Sequence, residues 1–151
     1  MTEQSWLKYG AIALGAVGFL VIIGLALSYG EGLEGRTWIV QEMSVEGTMT
    51  APIPDVTPYV VFENGTVGGS AGCNTYNGGY EAGGGSITIG PLITTLMFCD
   101  APEGTMDQES AYLGLLQSAD SFKVDGDQLT LSDGDTALIR YTEVTVTPRS
   151  G

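Results

Sequence analysis

Histidine is missing altogether, which removes the commonest general base and the commonest metal ligand together. Basic residues are nearly as scarce: 5 Lys and Arg against 18 Asp and Glu leave a net charge of -13. A surface of that sign repels phosphate backbones and anionic lipid headgroups, so nucleic acid is not an expected partner. Of the acidic residues only Glu3 precedes residue 30, and beyond it only Arg36, Lys123, Arg140 and Arg149 oppose the rest. The charge therefore belongs to the main domain, where it favours solubility and would equally suit a saline habitat. Cysteine is limited to Cys73 and Cys99. There is no Cys-x-x-Cys pair for thiol exchange and no ligand set for zinc. With 151 residues, the chain has room for one ordinary domain and an appendage.

Long apolar runs are also absent, with one exception. Residues 10–29 are twenty in a row without a charge, and as a helix they span about 30 Å, the thickness of a bilayer core. The run is apolar on every face, unlike the striped helix of a small soluble core. It predicts a transmembrane anchor over residues 9–29. The competing reading is a cleaved signal peptide, with Lys8 as its charged region and Ala26-Leu27-Ser28 as a small-x-small site before Tyr29. That reading makes the domain secreted, and it asks for an apolar stretch shorter than this one. No cysteine lies near its end to take a lipid. Lys8 on one side and Glu31 and Glu34 on the other put residues 1–8 in the cytoplasm and the domain outside. The expected order is a tail over 1–8, the anchor, a linker over 30–35, a domain over 36–143 and a tail over 144–151.

The domain reads as strands separated by turns. Trp38-Ile39-Val40 and Tyr59-Val60-Val61-Phe62 are rich in β-branched and aromatic residues, and the second ends at the hairpin signal Glu63-Asn64-Gly65. Ser86 to Ile89 alternates. Phe122-Lys123-Val124 meets Gln128 to Leu131 across Asp125-Gly126, and Asp133-Gly134 leads into Ala137 to Tyr141. Between Thr105 and Ser118 the rhythm changes. Tyr112, Leu115, Leu116 and Ala119 fall at helical spacing, and Thr105 with Gln108 forms a capping-box pattern. The expected class is α+β, a mainly antiparallel sheet with one helix inserted before its last strands.

Leu33-x-Gly35-x-x-Trp38, Gly69-Ser70-Ala71-Gly72-Cys73-Asn74-x-Tyr76-x-Gly78, Thr95-x-Met97-x-Cys99, then Glu109 and Leu129-x-Leu131 together resemble the META domain family, which includes the heat-shock-associated HslJ proteins. The likeness covers about residues 33 to 141. It implies a cracked antiparallel β-barrel with a helix, export to the cell envelope, and no established enzymatic activity. Family members are linked with heat shock, antibiotic tolerance or virulence. The chain departs from the lipoprotein members by carrying a spanning segment where they carry a lipidated cysteine.

Cys73 and Cys99, both in the exported part, suggest one disulfide. Two buried thiols, or a redox or metal pair, are the alternatives. The glycine-rich run from Val67 to Asn74 lacks the Lys-Ser/Thr of a phosphate loop, so its glycines read as a sheet bend with close backbone approach. Asn74, a family position by resemblance, is expected to bond to backbone there, with a ligand contact as its second reading. Asp125, Asp127, Asp133 and Asp135 are oxygen-rich turn residues that could attract calcium, although the Asp-Gly turns explain them without it. Asn64-Gly65-Thr66 is a glycosylation sequon. No cofactor is expected. A serine nucleophile would have to use Lys123 or a carboxylate as its base, so enzyme activity is not expected. A binding or structural role in the envelope follows, which the resemblance ties to stress. Its expected partners are the membrane through the N-terminal helix, and either a small apolar ligand in a groove where the barrel fails to close or an envelope protein met along an open sheet edge. A cation-binding surface is the third reading.

Overall fold

The computed structural model describes residues 32–145. The expected anchor over 9–29 and the end of the expected tail lie outside them. Ten strands and one helix follow in chain order. The strands are β1 (Thr37–Val45), β2 (Thr48–Thr50), β3 (Tyr59–Glu63), β4 (Thr66–Ser70), β5 (Thr75–Gly83), β6 (Ser86–Ile89) and β7 (Ile93–Thr94), then, after helix α1 (Thr105–Ser118), β8 (Ser121–Asp125), β9 (Gln128–Asp133) and β10 (Thr136–Glu143). Every strand pair is antiparallel.

Eight strands form a ring in the order β1-β3-β4-β5-β6-β8-β9-β10, and β10 pairs back onto β1 to close it. The expected crack is therefore corrected to a thin seam. β6 and β8 share a single registered pair, Ser86 with Ser121, reinforced by the Ile87 amide on the Asp120 carbonyl and the Phe122 amide on the Gly85 carbonyl. The short strands β2 and β7 lie off the ring.

Alternation fills the interior. Trp38, Val60, Phe62, Val67, Leu129, Leu131, Ile139 and Tyr141 are wholly or almost wholly buried, and a register shift between Val40 and Glu42 lets Val40 and Met43 both face inward. Buried side chains pack together at the centre of the barrel. The hydroxyls of Tyr76 and Tyr112 lie 2.8 Å apart, Tyr141 donates to Tyr112, and Tyr76 donates to the Tyr59 carbonyl. These three phenols satisfy one another inside an apolar core, and burial raises the pKa of each well above the ordinary tyrosine value.

Turn chemistry fixes the β3–β4 hairpin. Asn64 and Gly65 both have positive φ, as the two-residue turn between β3 and β4 requires. The glycine-rich run divides: Val67 to Ser70 belong to strand β4, and the expected bend is confined to Ala71 to Asn74, where Gly72 has positive φ. A Cβ on Gly69 would sit 2.1 Å from the Tyr59 carbonyl oxygen, so only glycine lets β3 approach while the ring of Tyr76 covers the bare backbone across the ladder.

The loops fall on two rims. Gly32 to Arg36, the β3–β4 and β8–β9 turns and the end of β10 share one rim, because the Gly35 amide bonds to the Phe62 carbonyl and Arg36 bonds to the Gly126 carbonyl and to Glu143. The loops before β3, between β4 and β5, and from β7 into α1 share the other. Helix α1 lies across that second mouth. Gln108 near its start bonds to Ile53 and Val56, and Asp120 after its end bonds to Ser132 and Gly134. Its Tyr112 and Leu116 plug the core. The predicted helix bounds hold, but the capping box does not. The N-cap is Gly104 in the left-handed region, the Thr105 hydroxyl donates to the Pro102 carbonyl, and Gln108 is spent on the loop before β3.

Candidate functional site

The second rim carries the most unusual arrangement among the described residues. Leu96 is 97% exposed, Phe98 79% and Met97 58%, with Ile93 beside them at 70%. Consecutive apolar side chains turned outward on a small domain normally mark a contact surface. A slack loop would fold such residues back onto the protein, so what holds the backbone decides whether the display is built in.

Asn74 holds it. Its side-chain oxygen accepts hydrogen bonds from the Met97 amide at 2.7 Å and the Thr95 hydroxyl at 2.7 Å, and its side-chain nitrogen donates to the Met97 carbonyl at 2.9 Å. Reading both the N–H and the C=O of one residue, the amide pins Met97 as a paired strand would. Asn74 is pinned in turn by Glu109. One oxygen of Glu109 accepts from the Cys73 and Asn74 amides at 2.9 and 2.7 Å, and the other accepts from the Asn74 side-chain nitrogen at 2.6 Å. Both residues are buried, so these bonds form away from competing water.

A covalent tie lies alongside. Cys73 and Cys99 form a disulfide, with Cα atoms 5.9 Å apart. It fastens the far side of the tip to the β4–β5 turn, and closing that loop contributes about 3 kcal/mol through the unfolded chain. The Cys99 amide also points at the Met106 sulfur of α1. The tip is thus clamped at Thr95, Met97 and Cys99, while the side chains between remain free.

This constellation of Asn74, Met97, the two cysteines and Glu109 is the pattern that carried the resemblance, now assembled in space. The family model for the META domain matches residues 31–145. The chain belongs to the META domain family. Among solved structures, the fold resembles that of a protein from Burkholderia xenovorans determined by NMR, with a TM-score of 0.62, 25% identity, and coverage of 75% of this chain and 84% of that one. It also resembles a DUF4847 family protein from Bacteroides vulgatus, with a TM-score of 0.53, 17% identity, and coverage of 74% and 94%. No curated protein matches.

Sequence reasoning placed Asn74 on backbone partners, and there it is. It named Glu109 within the motif without a role, and it passed over Leu96 and Phe98. A polar residue on the same helical stripe as Tyr112 and Leu116, at 109, 112 and 116, was the available signal that Glu109 points inward.

The other candidates are scattered over this META domain. Asp125 and Asp127 flank the β8–β9 turn on the first rim, whereas Asp133 and Asp135 flank the β9–β10 turn on the second. The structure does not bring the four together, and no group of three or more Cys, Asp or Glu with metal-holding geometry occurs among the described residues. Asn64 is exposed at its hairpin tip. Lys123 is exposed on β8. A shallow cleft of ≈ 310 Å³ runs beside the clamp between the tip and α1, lined by Leu96, Met97, Met106 and Leu113 with Asn74 and Glu109 among its walls. A second, of ≈ 290 Å³, lies beside Phe98 and is edged by Asp100, Glu103 and Asp107.

Proposed function

We propose that this META domain is a non-catalytic binding module of the cell envelope, tethered through residues 9–29 and making its contacts through the rim farthest from that tether. One observation carries the reading: the Asn74–Glu109 clamp and the disulfide hold Leu96, Met97 and Phe98 in water. The described chain begins at Gly32 on the opposite rim. The nine residues of β1 separate the two rims by roughly 20 Å once strand tilt is allowed for. A tether at the first rim therefore directs the tip away from its own membrane.

The same inventory argues against catalysis. The buried oxygens of Glu109 are taken up by N–H donors, and the buried phenols by one another. A nucleophile would have to work without histidine. A stress-related role is an extension from the family and adds no mechanism.

The test is a photo-crosslinking amino acid placed at Leu96 and, separately, at Asn64 on the opposite rim, in the full chain within its own cells. Adducts are expected from position 96 and not from 64. Equal yields, or none from 96, overturn the contact surface. Protease added to cells stripped to their inner membrane should trim the domain before lysis, and resistance until lysis overturns the outward orientation. A mature N-terminus at Tyr29 would replace the tethered form by a secreted one and leave the tip as it is.

A further inference from the structure

The electrostatics of the second rim narrow what the tip meets. No lysine or arginine occurs between Arg36 and Lys123, and that interval supplies most of the second rim. Among the described residues, the three bases lie elsewhere. Arg36 is paired with Glu143 on the first rim, Arg140 with Glu42 at 2.9 Å on the barrel wall, and Lys123 stands on β8. Phe98 shares its cleft with Asp100, Glu103 and Asp107, all exposed. The apolar tip therefore stands beside a cluster of three exposed carboxylates, on its Phe98 side, that no basic side chain of its own interval offsets.

We propose that the tip docks into a protein partner presenting an apolar socket rimmed by lysine and arginine. The inference rests on the reading of the tip as the contact surface and adds the chemistry of what it contacts. Leu96 and Phe98 supply the apolar area, and their fixed backbone lowers the entropy lost on docking. The carboxylates steer the encounter and reject acidic surfaces. A second copy of this chain would bring the same three carboxylates against themselves. An anionic membrane would be repelled in the same way.

The experiment uses the full chain in phosphatidylcholine nanodiscs, with empty discs as reference. The probes are two dye-labelled amphipathic peptides with identical leucines, one carrying lysine and the other glutamate on its polar face, followed by fluorescence anisotropy. The lysine peptide should bind and the glutamate peptide should not. Neutralising the near cluster (Asp100→Asn, Glu103→Gln, Asp107→Asn) should weaken binding by about tenfold. The same charge change at Glu63→Gln, Glu81→Gln and Asp125→Asn should weaken it less than about twofold, since exposed charges beyond a Debye length are screened.

Equal losses from the two triple variants, or no binding by the unaltered chain, overturn the proposal. If Leu96→Ser with Phe98→Ser leaves binding unchanged, the tip is not the contact surface and the underlying reading fails too. If that pair abolishes binding while the near cluster does not matter, the tip survives as the contact surface and its basic partner does not. Tip-dependent dimers in sedimentation, or tip-dependent binding to phosphatidylcholine or phosphatidylglycerol vesicles, overturn it in favour of self-association or lipid.

Discussion

The two rims of the barrel are held by different means. On the first rim, turns and one charged residue do most of the work: Asn64-Gly65 and Asp125-Gly126 close hairpins, and Arg36 gathers the chain by bonding to the Gly32 and Gly126 carbonyls and to Glu143 while stacking 4.3 Å from the Trp38 ring. On the second, distal rim, the ties are polar side chains that reach the backbone of other loops, and the central two are buried. Glu109 reaches Cys73 and Asn74, Asn74 reaches Met97, and Gln108 reaches Ile53 and Val56. Turns and a partly exposed ion pair make a rim that tolerates change. Buried polar ties make one that depends on a few side chains and can hold an unfavourable surface in place. A domain that needed only stability would have no use for the second kind.

The largest expected effect comes from alkali, because the phenols of Tyr76, Tyr112 and Tyr141 lie under the distal rim. Burial raises all three, first by desolvation. The unfolded chain gives up these protons near pH 10 while the folded one retains them, so their contribution is complete below about pH 10 and falls as pH rises above it. Each ionisation linked to unfolding takes about 1.4 kcal/mol per pH unit, so three take about 4. Against a stability of about 5–15 kcal/mol, cooperative unfolding is expected within a few pH units of 10. Tyrosinate absorbance and the near-ultraviolet circular dichroism should change together. Tyrosines that ionise one at a time with the fold intact would show that the core is open to water. Next comes Glu109→Ala, which strands the Cys73 and Asn74 amides and the Asn74 side chain. It should cost about 3 kcal/mol in urea unfolding, with Glu109→Gln losing roughly half as much. Equal values for the two variants would mean that packing, and not hydrogen bonding, is what Glu109 provides.

The same contrast explains what could be read in advance. The hairpins at Asn64-Gly65, Asp125-Gly126 and Asp133-Gly134, the strands they join and the helix over residues 105–118 were legible because their signals are local. The strands β4 and β5 were not. Gly68-Gly69-Ser70 and Tyr76-Asn77-Gly78-Gly79 carry no strand pattern; they are strands through pairing with β3, with β6 and with each other, and that close pairing is what requires glycine at 69. Gln108 looked like a cap because the pattern ignores partners 55 residues away. The cysteine pairing was readable from compartment and count, and Asn74 from the family pattern. The outward display of Leu96 and Phe98 was not, since apolar residues are assigned to the core unless something is known to hold them out.

The first rim should respond more weakly and with the opposite pH sign. Arg36 holds the Glu143 carboxyl below its ordinary range, chiefly through their hydrogen bond. A depressed carboxyl contributes stability above its unfolded pKa and loses it as pH falls through the folded value. Glu143→Gln should therefore flatten the acid limb of the stability curve by lowering neutral-pH stability slightly, and matter least at high salt. A loss as large as that from Glu109→Ala would erase the distinction between the rims.

The smallest expected effect is the most informative. Leu96→Ser with Phe98→Ser replaces two large apolar side chains by small polar ones, a change that costs about 2–5 kcal/mol per site in a core. At the tip it should alter the unfolding midpoint by no more than about 0.5 kcal/mol, because those side chains bury almost nothing and the clamp bonds only to backbone and to Thr95. Denaturant unfolding of the double variant beside Asn74→Ala separates the two roles. Asn74→Ala should lower stability by removing the clamp, whereas the serine pair should leave stability untouched and remove only binding. If the serine pair were as destabilising as Asn74→Ala, Leu96 and Phe98 would be packing against the protein in solution. The distal rim would then be an ordinary edge of the core.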